Sequence, residues 1–195
     1  MKKISKKIFE YRSYTPLPFL ILMVVFQQAT LSSLIVGFCI VLAGEFFRLW
    51  AVSYAGSETR TTGGGVGGTY LVVSGAYAHV RNPLYVGNMI IYTGIGVMSM
   101  ALYPYLLIAA LLFFYFQYYA IINDEEDYLK IKFGKQFEDY CKSVPRWIPT
   151  LSKYKNPGIE QPVYEIQKGL RSEKRTLQAI SLIVLLLIIL YLVSN

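Results

Sequence analysis

The run LQAISLIVLLLIILYLV, Leu177 to Val193, carries no charged residue over a length that suits the hydrocarbon core of a bilayer. Inside that core the backbone must satisfy its own hydrogen bonds, so such a run reads as a helix. Four further stretches read the same way: Tyr14 to Gln28, Leu31 to Tyr54, Leu84 to Leu102 and Tyr105 to Ile122. The first is short, with Pro16 and Pro18 at its start, and the second follows almost at once, so the two are expected to form a helical hairpin. Only Tyr103 and Pro104 part the third from the fourth, which predicts a second, tight hairpin. With 54% hydrophobic residues the chain is expected to be all-α, an integral membrane protein with about five transmembrane helices. A basic start that runs into Pro-containing sequence and a second apolar run is unlike a cleaved secretory signal, so the first span is expected to be retained.

The formal net charge of +7 is distributed by topology. With these five spans, Arg48 is the one Lys or Arg inside a span; the others fall before the first, between the second and third, and between the fourth and fifth. Those regions share one face, which the positive-inside rule makes cytoplasmic, with the amino terminus inside. Excess basic charge there serves orientation and attraction to anionic lipid, so no nucleic-acid partner is expected. The two cysteines, Cys39 in a span and Cys141 outside one, give neither a disulfide framework nor a zinc pattern. With a single histidine in the chain, no metal is expected.

One domain is expected over residues 1–195: an amino-terminal arm and helical hairpin (1–58), a signature region (59–149), and a cytoplasmic connection with the last span (150–195). The opening MKKISKKIFEYR reads as a surface-lying amphipathic anchor, with a substrate contact as the alternative. GGGVGG lacks the Lys-Ser/Thr of a phosphate-binding loop and reads as a flexible connection, and TYLVVSGAY after it is apolar but too short to span. Gly87, Gly94 and Gly96 are expected near one helical face, where they allow close packing. Leu129, Phe133, Phe137 and Tyr140 recur at helical spacing, so the stretch after the fourth span is amphipathic and should cover something. The polar segment after it is expected to be irregular, with a short helix before the last span.

Two polar clusters meet at the cytoplasmic face. His79, Arg81, Asn82, Pro83, Tyr85 and Gly87 enter the third span; Asp124, Glu125, Glu126 and Asp127 leave the fourth. The tight hairpin makes these spans antiparallel neighbours, so the clusters are close in space. Asn82 reads as a cap and Pro83 as a first-turn residue, and the free amides of such a helix start hold an anionic group. The acidic cluster suits a cation, or hydroxyls and an amine. The clusters together fit a ligand of both charges; a capped helix facing a solvated acidic turn, with Arg81 paired to Glu125 or Glu126, explains the same residues. Glu45 and Arg48 share a helical face inside the second span, as a mutual pair or a substrate contact.

GAYAHVRNPLYVG, then a span, then EEDYLKIKFGKQFEDYCKSVPRWIP resembles the carboxyl-terminal signature of the isoprenylcysteine carboxyl methyltransferase family and its phospholipid N-methyltransferase relatives. The resemblance runs from about Thr59 to Pro149. It implies a five-span fold of the small prokaryotic type, in a prokaryotic inner membrane, with a cytoplasmic-face pocket for S-adenosylmethionine. Tyr77, His79, Asn82, Pro83, Tyr85, Gly87 and Glu126 would bind the cofactor, and Arg81, Arg146 and Glu125 would serve catalysis. Where the commonest pattern has His before the Pro, this chain has Asn82, which hydrogen-bonds but does not titrate. The implied partner is a lipophilic or prenylated substrate entering from the bilayer: an isoprenylcysteine-like carboxylate, or alternatively a phospholipid amine. A carboxylate acceptor needs a positioning cation, Arg81 or Arg146. An amine needs a proton acceptor, Glu125, Glu126 or His79. An NADPH-dependent sterol-type reductase carries a related Pro-x-Tyr-x-Gly segment, usually followed by Glu where this chain has Asn88. A non-enzymatic scaffold or small transporter is the remaining class, with Glu45 and Arg48 as its charged midplane pair.

Overall fold

The computed structural model describes residues 3–55 and 70–194; GGGVGG and Thr59, where the resemblance begins, lie outside the described residues. The described chain is helical: α1 (Lys3–Tyr11), α2 (Pro16–Val25), α3 (Leu31–Ala55), α4 (Pro83–Ser99), α5 (Tyr105–Phe133), α6 (Lys135–Ser143) and α7 (Ile166–Ser194), with a 3-10 turn at Gly75–Ala78. Each of the five apolar runs forms a helix, and three of them, α3, α5 and α7, are long and apolar enough to cross a membrane. The outer faces of these three expose Phe46, Phe116, Leu182 and Val193, as lipid-facing helices do. The first run, expected as a span, makes a helix of only 10 residues, because it begins at Pro16 and ends at Phe26. At 1.5 Å per residue it rises about 15 Å, roughly half the hydrocarbon core. Nor does it form the expected hairpin partner of the second run: α2 packs chiefly on α4, α5 and α7.

The most intimate contact is between α3 and α4. Gly37 and Gly44 on one helix face Gly94 and Gly87 on the other, so that backbone meets backbone: a Cβ on Gly94 would lie 2.7 Å from the Gly37 carbonyl and the Val41 amide. The matching seven-residue spacing keeps both pairs on the seam, the small-residue packing by which apolar helices associate without a hydrophobic driving force. Gly94→Val should force the helices apart and cost about 1–3 kcal/mol, as overpacking does. Thermal unfolding in detergent would register it, and an unchanged midpoint would contradict the close approach. Gly96, expected on the same face, lies on the opposite one and packs against Leu107 of α5, since nine residues from Gly87 is half a turn out of phase.

α4 and α5 join through Met100–Pro104 as the tight hairpin that the sequence predicts, and the α2–α3 connection ties to the far end of α4, where the Gln28 amide donates to the Ser99 carbonyl at 2.8 Å. At the other end of the bundle lie the last turn of α3, the first turn of α4, the last turns of α5 and the first turns of α7. Gly134, at φ +52°, breaks the amphipathic stretch in two. α6 then folds back with Phe137 and Tyr140 buried against Leu71, Val73 and Val144, and Leu129 and Phe133 pack beside them. The stretch therefore covers the segment that leads into α4. The expected short helix before the last span is continuous with it, as α7 runs unbroken for 29 residues.

Candidate active site

The segment Leu71–Asn82 and the segment Val144–Tyr154 lie side by side over the start of α4. The Arg81 amide donates to the Pro145 carbonyl at 2.9 Å, Thr150 to His79 at 2.9 Å and Tyr154 to Ala78 at 2.9 Å. His79 reinforces the pairing with Nδ1 2.8 Å from the Thr150 carbonyl, and its ring packs near Trp50. Tyr140 donates its hydroxyl to the Tyr77 carbonyl at 2.7 Å, and burial keeps this phenol neutral far above its usual range. Burial also raises Tyr77, with the negative charge of Glu125 adding to the effect.

Glu126 is the hub of the charged cluster. It accepts Arg81 Nε at 3.1 Å and both Nε and Nη2 of Arg146. Arg81 also donates Nη1 to the carbonyls of Cys141 and Val144, and Arg146 donates Nη1 to Asn123 Oδ1 at 2.9 Å while lying over the Tyr119 ring. One carboxylate thus clamps the α4 entrance, the end of α5 and the Pro145–Arg146 turn together. Burial raises the Cys141 thiol, which keeps it in the inert neutral form. Glu125, next in sequence, points to a different neighbour and accepts the Tyr85 hydroxyl at 2.9 Å.

Asn82 corrects one expectation. It stands at the cap position of α4 but makes no side-chain cap; its Nδ2 donates instead to the Arg146 carbonyl at 3.3 Å. The amides of Leu84 and Tyr85, in the first turn after the buried Pro83, receive no side-chain cap. Gly87 is buried against the Arg48 side chain and serves the α3–α4 seam. The structure therefore brings Arg81, Asn82, Arg146 and Glu126 into one cluster and Tyr85 with Glu125 into an adjoining one, while His79 belongs to the latch with Thr150.

Below Tyr85 the sequence reading missed a polar column. Tyr85 packs on Tyr118 with ring centroids 4.7 Å apart, Tyr118 donates to the Tyr92 hydroxyl at 3.3 Å, and Asn88 donates Nδ2 to the Tyr118 hydroxyl at 3.1 Å. Asn88 in turn accepts from Arg48, which also donates to Glu173 Oε2 at 2.6 Å and lies 3.7 Å from Glu45. The Glu45–Arg48 pair was legible as an i, i+3 pattern; Glu173 was not, because it stands outside the apolar run of the last span. Asn88, Tyr92 and Tyr118 fall at a spacing of four on α4 and opposite one another across α4 and α5, a signal available only once the two helices are paired.

A surface cavity of about 420 Å³ is lined by Val73, Ser74 and Lys153–Asn156, and none of the expected site residues lines it. The expected site residues Arg81, Tyr85, Glu125, Glu126 and Arg146 gather at the α4–α5 mouth instead. Among the described residues no group of three or more His, Cys, Asp or Glu side chains could hold a metal ion.

The chain is 38% identical over 42% of its length to a protein-S-isoprenylcysteine O-methyltransferase of Schizosaccharomyces pombe, covering 34% of that protein. It is 32% identical over 62% of its length to one of Tribolium castaneum, covering 43%. It is also 33% identical over 55% of its length to the cobalt-zinc-cadmium resistance protein CzcN of Cupriavidus metallidurans, covering 45%. The chain thus spans less than half the length of the curated relatives it matches. No solved structure matches it significantly. The match to a family profile, residues 35–131, takes in the α3–α4 seam, the Arg-Asn-Pro entrance and the Glu125–Glu126 pair, and by it the chain belongs to the isoprenylcysteine carboxyl methyltransferase (ICMT) family, whose members are S-adenosylmethionine-dependent methyltransferases.

Proposed function

We propose that the protein is a membrane methyltransferase that uses S-adenosylmethionine to methylate the carboxylate of an isoprenylcysteine-like, membrane-held acceptor. The observation that carries this reading is the pairing of an uncapped helix start with two differently engaged glutamates at one end of the bundle. The donor set fits the cofactor's chemistry: amides of Leu84 and Tyr85 for a carboxylate, Glu125 for an amine or ribose hydroxyls, and the Tyr85–Tyr118 aromatic faces for a sulfonium. When bound, the cofactor supplies an electrophilic methyl group. An acceptor carboxylate oxygen bonds to that methyl as the sulfur–carbon bond breaks and its electron pair stays on sulfur, so opposite charges cancel and no proton moves. The residues then have to align, neutralise and exclude water rather than exchange protons. Glu126 with Arg81 and Arg146 holds the frame, and Glu125 with Tyr85 orients the donor.

The same reading gives five membrane crossings, with α4 and the run 14–28, in which flanking turns from Thr15 beside Gln117 to Gln28 beside Ser99 extend the short α2, completing the set within the bundle, and with the amino terminus and the site on the cytoplasmic side of a prokaryotic inner membrane. Basic residues concentrate at the site end, which supports that orientation. A phospholipid amine is the competing acceptor; it would need a base, and Glu125 beside Tyr85 is the group in place for it.

Calorimetry of the detergent-purified protein tests the cofactor. Saturable binding of S-adenosylmethionine, lost in Glu125→Ala/Glu126→Ala, is expected. Binding of NADPH with none of S-adenosylmethionine would overturn the assignment. Tyr85→Phe, which removes only the hydroxyl that Glu125 accepts, should weaken S-adenosylmethionine binding by about tenfold, the scale of one hydrogen bond to a charged group. Unchanged affinity would remove Glu125 and Tyr85 from the donor site.

A further inference from the structure

Three arginines around the site are engaged with carboxylates: Arg81 and Arg146 with Glu126, and Arg48 with Glu173 and Glu45. Their remaining donors go largely to the carbonyls of Cys141, Val144 and Leu84 and to the amides of Asn123 and Asn88. These cations are held in place by the fold and neutralised by it. Arg12, between α1 and α2, makes contacts of another kind. Its Nη1 donates to the Phe9 carbonyl at 2.7 Å, and its guanidinium lies 3.6 Å over the Phe9 ring. Among the described residues no carboxylate pairs with it.

Arg12 is nonetheless anchored beside the chemistry. Phe9 is buried in the main core with Tyr118 and Ile121 of α5, and α1 packs on α5. Three residues on, Thr15 donates its hydroxyl to Gln117 of α5 at 2.9 Å. The positive charge of Arg12 is felt at both Glu125 and Tyr85. Gln117 is itself 6% exposed, and its Nε2 is buried without a partner. The amino-terminal arm therefore brings to α5 a cation with no ion-pair contact among the described residues, within electrostatic reach of Glu125, and Thr15 of the same arm meets Gln117, whose buried Nε2 has no acceptor.

We propose that Arg12 is the residue that receives the acceptor's carboxylate, with the amino-terminal arm closing the acceptor side of the site. The inference rests on the methyltransferase reading above and gives its positioning cation, a role that the sequence alone assigns to Arg81 or Arg146. A guanidinium suits the task because its planar fork matches a carboxylate and stays charged. The stacking on Phe9 leaves the group ordered and without an ion-pair contact, ready for an incoming anion. An amine headgroup would meet a like charge there, so the arm also selects carboxylates over amines.

The test uses the full-length protein in detergent, an N-acetylated S-prenyl cysteine as acceptor probe, and variants Arg12→Ala and Arg12→Lys. Arg12→Ala should raise the acceptor KM by about 10–100-fold, the worth of one charge-assisted contact, with S-adenosylmethionine affinity within about twofold of wild type. Arg12→Lys should recover part of the loss, since it restores charge without the fork. A KM that does not rise in Arg12→Ala, or a loss confined to cofactor affinity or kcat, would overturn the role of Arg12 while leaving the methyltransferase reading intact. Should wild type bind S-adenosylmethionine but methylate a phospholipid amine and not the carboxylate probe, both the Arg12 role and the carboxylate acceptor fall, and the cofactor assignment stands.

Discussion

Glu173→Ala is expected to destabilise the protein by about 3 kcal/mol, the scale for a buried charge that loses its closest partner. Glu173 is 1% exposed and lies on α7, the outermost of the long helices; Arg48 is on α3, and their contact at 2.6 Å is the polar tie between the two. The side chain of Arg48 also supports Gly87 on the helix seam and Asn88 in the polar column, so losing its counterion reaches α4 as well. Thermal unfolding in detergent should show a midpoint lower by on the order of 10 °C. Glu173→Gln keeps a hydrogen-bond acceptor for the guanidinium where Glu173→Ala leaves none, so its loss should be smaller. Equal midpoints for wild type and Glu173→Ala would mean that the α3–α7 contact is held by packing at Gly169 and Ser53 alone.

Glu126→Ala should have the larger effect on activity. It removes the common partner of Arg81 and Arg146, which leaves two guanidiniums repelling each other at the point where α4, α5 and the Pro145–Arg146 turn meet. A shift of even 1 Å in a positioned reactant costs on the order of 100-fold in rate, so methyl transfer should fall by at least that factor. Helical content by circular dichroism should stay unchanged, because the core of the bundle lies below the cluster. Glu126→Gln, which can still accept one hydrogen bond, should retain more activity than Glu126→Ala. A rate for Glu126→Ala within threefold of wild type would mean that the Arg81–Glu126–Arg146 clamp is not needed to shape the site.

Helix class, the α4–α5 hairpin and the juxtaposition of the Arg81 and Glu126 clusters were legible because each follows from local information. An apolar run without charge has one secondary structure open to it in a bilayer, and a short turn forces its flanking helices together. Family membership was legible for a related reason: Arg81-Asn82-Pro83, the Glu125–Glu126 pair and Arg146 to Pro149 are contiguous motifs. The length of the first helix was not legible, because hydropathy does not register where Pro16 starts it or where Phe26 ends it. Gly96 was assigned to the wrong face by a phase error of half a turn. Asn82 looked like a cap, but the Arg146 carbonyl, 64 residues away, competes successfully for its amide.

The sequence by itself determined that this chain is helical, apolar enough for a membrane and polar at one end, since those properties are sums over neighbouring residues. Only the tertiary structure decided which glutamate clamps the two arginines, that Glu173 reaches Arg48, that Asn88 joins Tyr118 and Tyr92 in a buried column, and that Arg12 is left without a carboxylate partner among the described residues. Each of these depends on helix rotation and on contacts between elements far apart in the chain. Pairing among charged side chains is settled by three-dimensional proximity and burial, and neither is a property of any one stretch of sequence.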